Sequence, residues 1–104
     1  MLIKICGITT LNDALLAIEA GADMLGFNFY EPSPRYLAPE TCANIISELK
    51  DAQVIHVGVF VNQTTHDIRQ ILEFCGLDLA QLHGDEGLND LVALGEMAFK
   101  AIRP

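Results

Sequence analysis

Short apolar runs alternate along the chain with segments whose apolar residues recur at helical spacing. Five runs predict strands: Leu2 to Cys6, Met24 to Phe29, Val54 to Val61, Leu77 to Leu82 and Phe99 to Ile102. Between them the periodicity predicts four helices. The first opens on Thr10-x-x-Asp13, a start in which a threonine caps the first free N–H groups, and carries Leu11, Ala14, Leu15 and Ile18 before Gly21. Pro39 starts the second, with Cys42, Ile45, Ile46 and Leu49 on one face. The third repeats the first cap as Thr64-x-x-Asp67, places Ile68, Ile71, Leu72 and Cys75 together, and stops at Gly76. Leu88, Leu91, Val92 and Ala93 mark a fourth helix ending near Gly95.

Each strand-helix pair is too long for a hairpin and suits a crossover, so successive strands should run parallel with helices outside. An open doubly wound sheet of the flavodoxin type shows the same alternation. Its two faces both meet helices and should be apolar, whereas one face of several strands here carries polar groups: Lys4 and Cys6, His56 and Gly58, Gln81 and His83. A small signalling domain of that type also needs an acidic pair after the first strand, where Cys6 and Gly7 stand instead. The expected fold is α/β, of the parallel β/α barrel (TIM barrel) family, present as an incomplete half-barrel of about four and a half β/α units in a single domain, 1–104. A closed eight-unit barrel takes roughly 200 to 250 residues.

Composition narrows the partners. Apolar residues make up 51% of the chain and charged ones 19%, a balance that buries surface rather than leaving a disordered tail. The net charge of −8 repels nucleic-acid phosphate and acidic membrane surfaces, so neither is an expected partner, and any anion site has to be local. No membrane span and no secretion signal is legible, and the three cysteines form no Cys-x-x-Cys pair, which together point to a reducing, cytoplasmic address.

Candidate chemistry gathers at predicted strand ends. Cys6 lies at the carboxyl end of the first strand, where barrel enzymes place catalytic groups. Residue type alone favours a small packed hydrophobe, and work as a base or nucleophile needs a positive neighbour such as Lys4, itself open to a plain ion-pair role. Arg35 ends the segment Tyr30-Glu31-Pro32-Ser33-Pro34-Arg35-Tyr36; a solvated arginine is the bland alternative, but two prolines stiffen the loop and suit a preorganised fork for a carboxylate or phosphate. Gln81 and His83 point the same way, towards a substrate or as a polar layer satisfying itself. His83, Asp85 and Glu86 crowd one loop without a second ligand at metal spacing, so no metal is expected. His66 should be solvated, and Cys42 and Cys75 should pack.

Five strings then occur in order: Lys4-Ile5-Cys6-Gly7-Ile8-Thr9, Gly26-Phe27-Asn28-Phe29-Tyr30, Ser33-Pro34-Arg35-Tyr36, Gly58-Val59-Phe60-Val61-Asn62 and Gln81-Leu82-His83-Gly84. Together they resemble the phosphoribosylanthranilate isomerases of tryptophan biosynthesis over essentially the whole chain. The resemblance implies an Amadori rearrangement of an aminoaldose phosphate to an aminoketose phosphate, without a cofactor. It implies Cys6 as the general base, Arg35 as the residue that holds the anthranilate carboxylate, and Gln81 and His83 near the ligand.

The family's general acid is an aspartate after strand six, and its phosphate grip follows strands seven and eight. Both fall past Pro104, so the expectation for this chain alone is very weak turnover of a phosphorylated small molecule. Pairing with a carboxyl-terminal half would complete the site. The competing expectation is a non-catalytic half-barrel that self-associates through its open edges.

Overall fold

The computed structural model describes residues 2–100. The elements follow in the order β1 (Lys4–Ile5), α1 (Leu11–Glu19), β2 (Met24–Asn28), α2 (Pro39–Glu48), β3 (Ile55–Phe60), α3 (Thr65–Cys75), β4 (Leu79–Leu82), α4 (Leu88–Leu94), a single 3₁₀ turn (Gly95–Met97) and β5 (Ala98–Lys100). The last strand begins one residue earlier than the apolar run suggests, and residues 101 and 102 of that run lie outside the described residues. All the strands are parallel and lie side by side in chain order, β1-β2-β3-β4-β5. That order rules out the flavodoxin-type sheet, in which the first strand sits between the second and third.

Pairing register assigns the two faces of the sheet. Leu25, Phe27, Phe60, Ala80 and Leu82 join Ala14, Cys42, Ile45, Ile68 and Leu72 in one apolar cluster, so this is the face the helices cover. Lys4 aligns with Met24, Met24 with Ile55, Val57 with Leu79 and Gln81 with Phe99, and these residues form the opposite face. Lys4, Cys6 and Gln81 therefore lie on the inner, uncovered face as the alternation predicts. His56 and Gly58 do not. His56 aligns with Leu25 and Gly58 with Phe27, which turns both towards the helices. The reason is packing: a Cβ on Gly58 would stand 2.8 Å from the Phe60 ring and 3.0 Å from Leu77, and His56 stacks at a tilt against Phe27 with ring centroids 6.0 Å apart.

The helix starts agree with the threonine caps, since the hydroxyls of Thr10 and Thr64 accept from the N–H of Asp13 and Asp67 at 3.0 and 3.1 Å. Gly76 ends α3 in the left-handed conformation at φ 78°, its N–H bonded to the Leu72 carbonyl. Two helix faces depart from expectation. On α1 the buried residues are Ala14 and Ala17, while Leu15 and Leu16 stand 50% and 56% exposed, because α1 lies at the end of the helix row. On α4 Leu94 is buried and Leu91 packs against the core, whereas Leu88 and Val92 are 74% and 71% exposed. Among the described residues the sheet is open, with β1 and β5 as its edge strands. Among the described residues no helix is long and apolar enough to cross a membrane.

Candidate active site

Where β1 ends, the chain turns back onto β2: the N–H groups of Gly7 and Ile8 both bond to the Gly26 carbonyl at 3.1 Å. Gly7 makes that turn at φ 82°, which disfavours a side chain there. Gly26 is the floor beneath the thiol, for a Cβ on it would meet Cys6 Sγ at 2.8 Å and Cys6 Cα at 3.1 Å. Cys6 itself is exposed.

Arg35 arrives over the same turn from the β2–α2 loop. Its Cγ lies 3.5 Å, and its Nη1 3.7 Å, from the position a Gly7 Cβ would take. The loop is pinned along its length, with Asn28 Oδ1 accepting from Tyr30 N at 2.8 Å, Ser33 Oγ from Arg35 N at 3.1 Å, and the Asn28 carbonyl from Leu37 N at 2.9 Å. The stiffness expected from the prolines is thus reinforced by hydrogen bonds. Cys6, Gly7 and Arg35 share, with Asp13, Leu16 and Ala17 of α1, the wall of one concavity of about 340 Å³ between the end of β1 and α1. A larger cavity, about 460 Å³, lies behind the arginine loop among Phe29, Tyr30, Tyr36 and Asp67 and touches none of Cys6, Arg35, Gln81 or His83.

Across the inner face, Gln81 is 8% exposed and its Oε1 accepts from the Lys4 ammonium, which also sits 5.6 Å from the centre of the Phe99 ring. Lys4 and Gln81 are therefore partners. His83 stands at the rim after β4 with an exposed side chain, its N–H donated to the Phe60 carbonyl at 2.8 Å.

The segment after His83 contains a feature that spacing does not signal. The Glu86 side chain, 2% exposed, accepts from the N–H of Asn62 and of Gly84, each at 2.7 Å, and pairs with Lys100 Nζ at 2.9 Å. Burial pushes its pKa up, but the lysine and the backbone N–H groups outweigh that and hold the carboxyl below its ordinary value. Asn62, at φ 53°, answers with its own Oδ1 accepting from Asp85 N at 2.7 Å. The available signal was an asparagine in a strand-to-helix turn, a residue that tolerates the left-handed region.

The remaining candidates separate cleanly. Cys42 and Cys75 are buried; their mutual hydrogen bond, with burial, raises the Cys42 thiol far above its ordinary range and leaves it inert at neutral pH. His66 is exposed on the first turn of α3. Among the described residues no group of three or more His, Cys, Asp or Glu side chains is placed to hold a metal ion.

Parallel strands in chain order with helices over one face are the arrangement of the β/α-barrel class, whose members carry their active sites at the carboxyl ends of the strands. Residues 3–103 match the family N-(5'phosphoribosyl)anthranilate (PRA) isomerase. The chain belongs to the phosphoribosylanthranilate isomerase family of tryptophan biosynthesis. The N-(5'-phosphoribosyl)anthranilate isomerase of Citrifermentans bemidjiense is 57% identical over 84 residues, which span 81% of this chain and 40% of that protein. The crystal structure of the Thermus thermophilus phosphoribosyl anthranilate isomerase superimposes with a TM-score of 0.92 at 41% identity, covering 98% of this chain and 52% of that one. A phosphoribosyl anthranilate isomerase solved with reduced 1-(o-carboxyphenylamino)-1-deoxyribulose 5-phosphate gives a TM-score of 0.89 at 42% identity, over 96% of this chain and 52% of the other. The chain spans about half the length of the relatives it matches.

Proposed function

We propose that this chain supplies the base and carboxylate-binding side of an aldose-ketose isomerase site that performs an Amadori rearrangement on N-(5'-phosphoribosyl)anthranilate. The observation that supports it is the concavity shared by Cys6 and Arg35. An N-aryl aminoaldose opens to an imine, whose positive nitrogen acidifies the hydrogen on the adjacent carbon. The Cys6 thiolate removes that proton, and the enolamine collapses to the aminoketose as carbon C1 is reprotonated. Arg35 grips the aryl carboxylate with a bidentate fork. Gln81 and His83 border the sugar from the opposite strand, Gln81 oriented by Lys4. The acid that opens the ring and the phosphate grip come from the carboxyl-terminal half of the barrel.

The test mixes this chain with the carboxyl-terminal half of the Thermus thermophilus relative and follows loss of substrate fluorescence. Cys6→Ala should lower kcat by roughly 10² to 10⁴-fold, the usual worth of a positioned base. Arg35→Met should act mainly on KM. Equal kcat values for parent and Cys6→Ala would sink the reading.

A second reading, self-association of this chain, is favoured by the apolar residues at its open edge. Leu2 and Ile3 beside β1 are 68% and 46% exposed, and Leu15 and Leu16 of α1, the helix that follows β1, are exposed as well. Sedimentation equilibrium separates it from a monomer.

A further inference from the structure

We propose that Glu86 is a positioning residue for the rim: its buried carboxylate clamps the turn after β3 to the turn after β4 and thereby fixes the backbone that carries His83. One oxygen, Oε2, accepts from Asn62 N at 2.7 Å, while the other, Oε1, accepts from Gly84 N at 2.7 Å and from Lys100 Nζ at 2.9 Å, so one side chain ties three segments together. The tie is reciprocal, because Asn62 Oδ1 accepts from Asp85 N at 2.7 Å and the Lys100 ammonium also reaches the Gly84 carbonyl. The space is filled as well: a Cβ on Gly84 would stand 2.6 Å from Asn62 Oδ1 and 3.0 Å from Asn62 N. His83 immediately precedes this knot and is itself anchored to Phe60 by its N–H.

A surface carboxylate doing only solvation work would not be 2% exposed, nor would it spend both oxygens on the N–H groups of two different turns. The Glu86 anion is the state in which both oxygens accept, so protonating it turns one of them into a donor and removes the charge that pairs with Lys100. The charged group packed against it from β5 is Lys100, and Asp85 beside it in the chain is exposed. The significance of this for the reaction rests on the reading that His83 borders the substrate; the clamp itself does not.

The test is carried out on the full chain by NMR, which follows the His83 imidazole and the amides of His83, Gly84 and Asp85. In Glu86→Gln the amide exchange of these residues should quicken by roughly tenfold or more, while Leu25 and Phe27 in β2 keep their rates. In the parent, the His83 ring signals should show an acid step below pH 4.5, the ordinary carboxyl value from which Glu86 is lowered, and that step should vanish in Glu86→Gln. If Glu86→Gln fails to fold, Lys100→Met serves: it keeps both backbone bonds, and the acid step on His83 should move upward in pH. Exchange rates unchanged within about twofold, with the acid step still present, overturn the proposal. Adding reduced 1-(o-carboxyphenylamino)-1-deoxyribulose 5-phosphate to the two-half mixture separates the two claims. Ring signals of His83 that ignore the analogue defeat the substrate-side reading and leave the clamp standing.

Discussion

The thiol of Cys6 rests on a glycine, and that contact sets how much freedom the side chain has. Gly26→Ala brings a methyl to 2.8 Å from Sγ and 3.1 Å from Cys6 Cα, and the second of these atoms is backbone that cannot swing away. The expected outcome is a loss of about 1 to 3 kcal/mol in urea unfolding and a fall in turnover of the complemented site by roughly tenfold or more. His56 makes a second residue-scale case. It is 7% exposed, and its Nδ1 has no hydrogen-bond partner among the described residues. Burial lowers its pKa, and the nearby Asp78 only partly opposes that. The folded state therefore holds the neutral ring, and the unfolded chain binds the extra proton first. Stability should be fully present above the unfolded imidazole pKa, about 6.5, and should fall as pH drops through and below it. Urea midpoints measured from about pH 7 to pH 5 should decline, and His56→Leu should flatten that decline. Below this window Glu86 adds a second loss in the same direction, since its depressed pKa stabilises the fold only while the carboxyl is ionised.

Helix α3 shows how much an element can announce in advance. Its threonine cap, its face of Ile68, Leu72 and Cys75, and its glycine stop were all legible in spacing, because each is a local preference acting within one or two turns. Thr64→Ala should cost about 1 kcal/mol by urea unfolding, as the Asp67 N–H loses its acceptor. The faces of α1 and α4 were legible only in part. Period alone places Leu15 and Val92 inward, but burial also requires a neighbour, and at 50% and 71% exposure these two lack one in the described structure. The same limit applies to β3. Alternation shows that His56 and Gly58 share a face, yet the sign of that face was decided by register with β2, a tertiary fact. The Glu86 clamp was illegible for a related reason, as its partners Asn62 and Lys100 are brought to it by the sheet. If the open edge drives association, Leu15→Gln with Leu16→Gln should shift sedimentation towards monomer without lowering the urea midpoint, because neither side chain belongs to the core.

At the scale of the molecule, a parallel sheet with strands in chain order presents all its strand ends on one rim, so Cys6 after β1, the Arg35 loop after β2 and His83 after β4, distant in sequence, stand along the same edge of the sheet. Cysteine inventory makes the central assignment accessible to direct measurement, for Cys6 is exposed while Cys42 and Cys75 are buried. The complemented protein is treated with iodoacetamide, and intact mass and substrate fluorescence are followed on the same samples. The expected result is a single adduct at Cys6, turnover lost in step with its formation, and both slowed by the reduced carboxyphenylamino deoxyribulose phosphate. Turnover that survives complete modification of Cys6 would contradict the account.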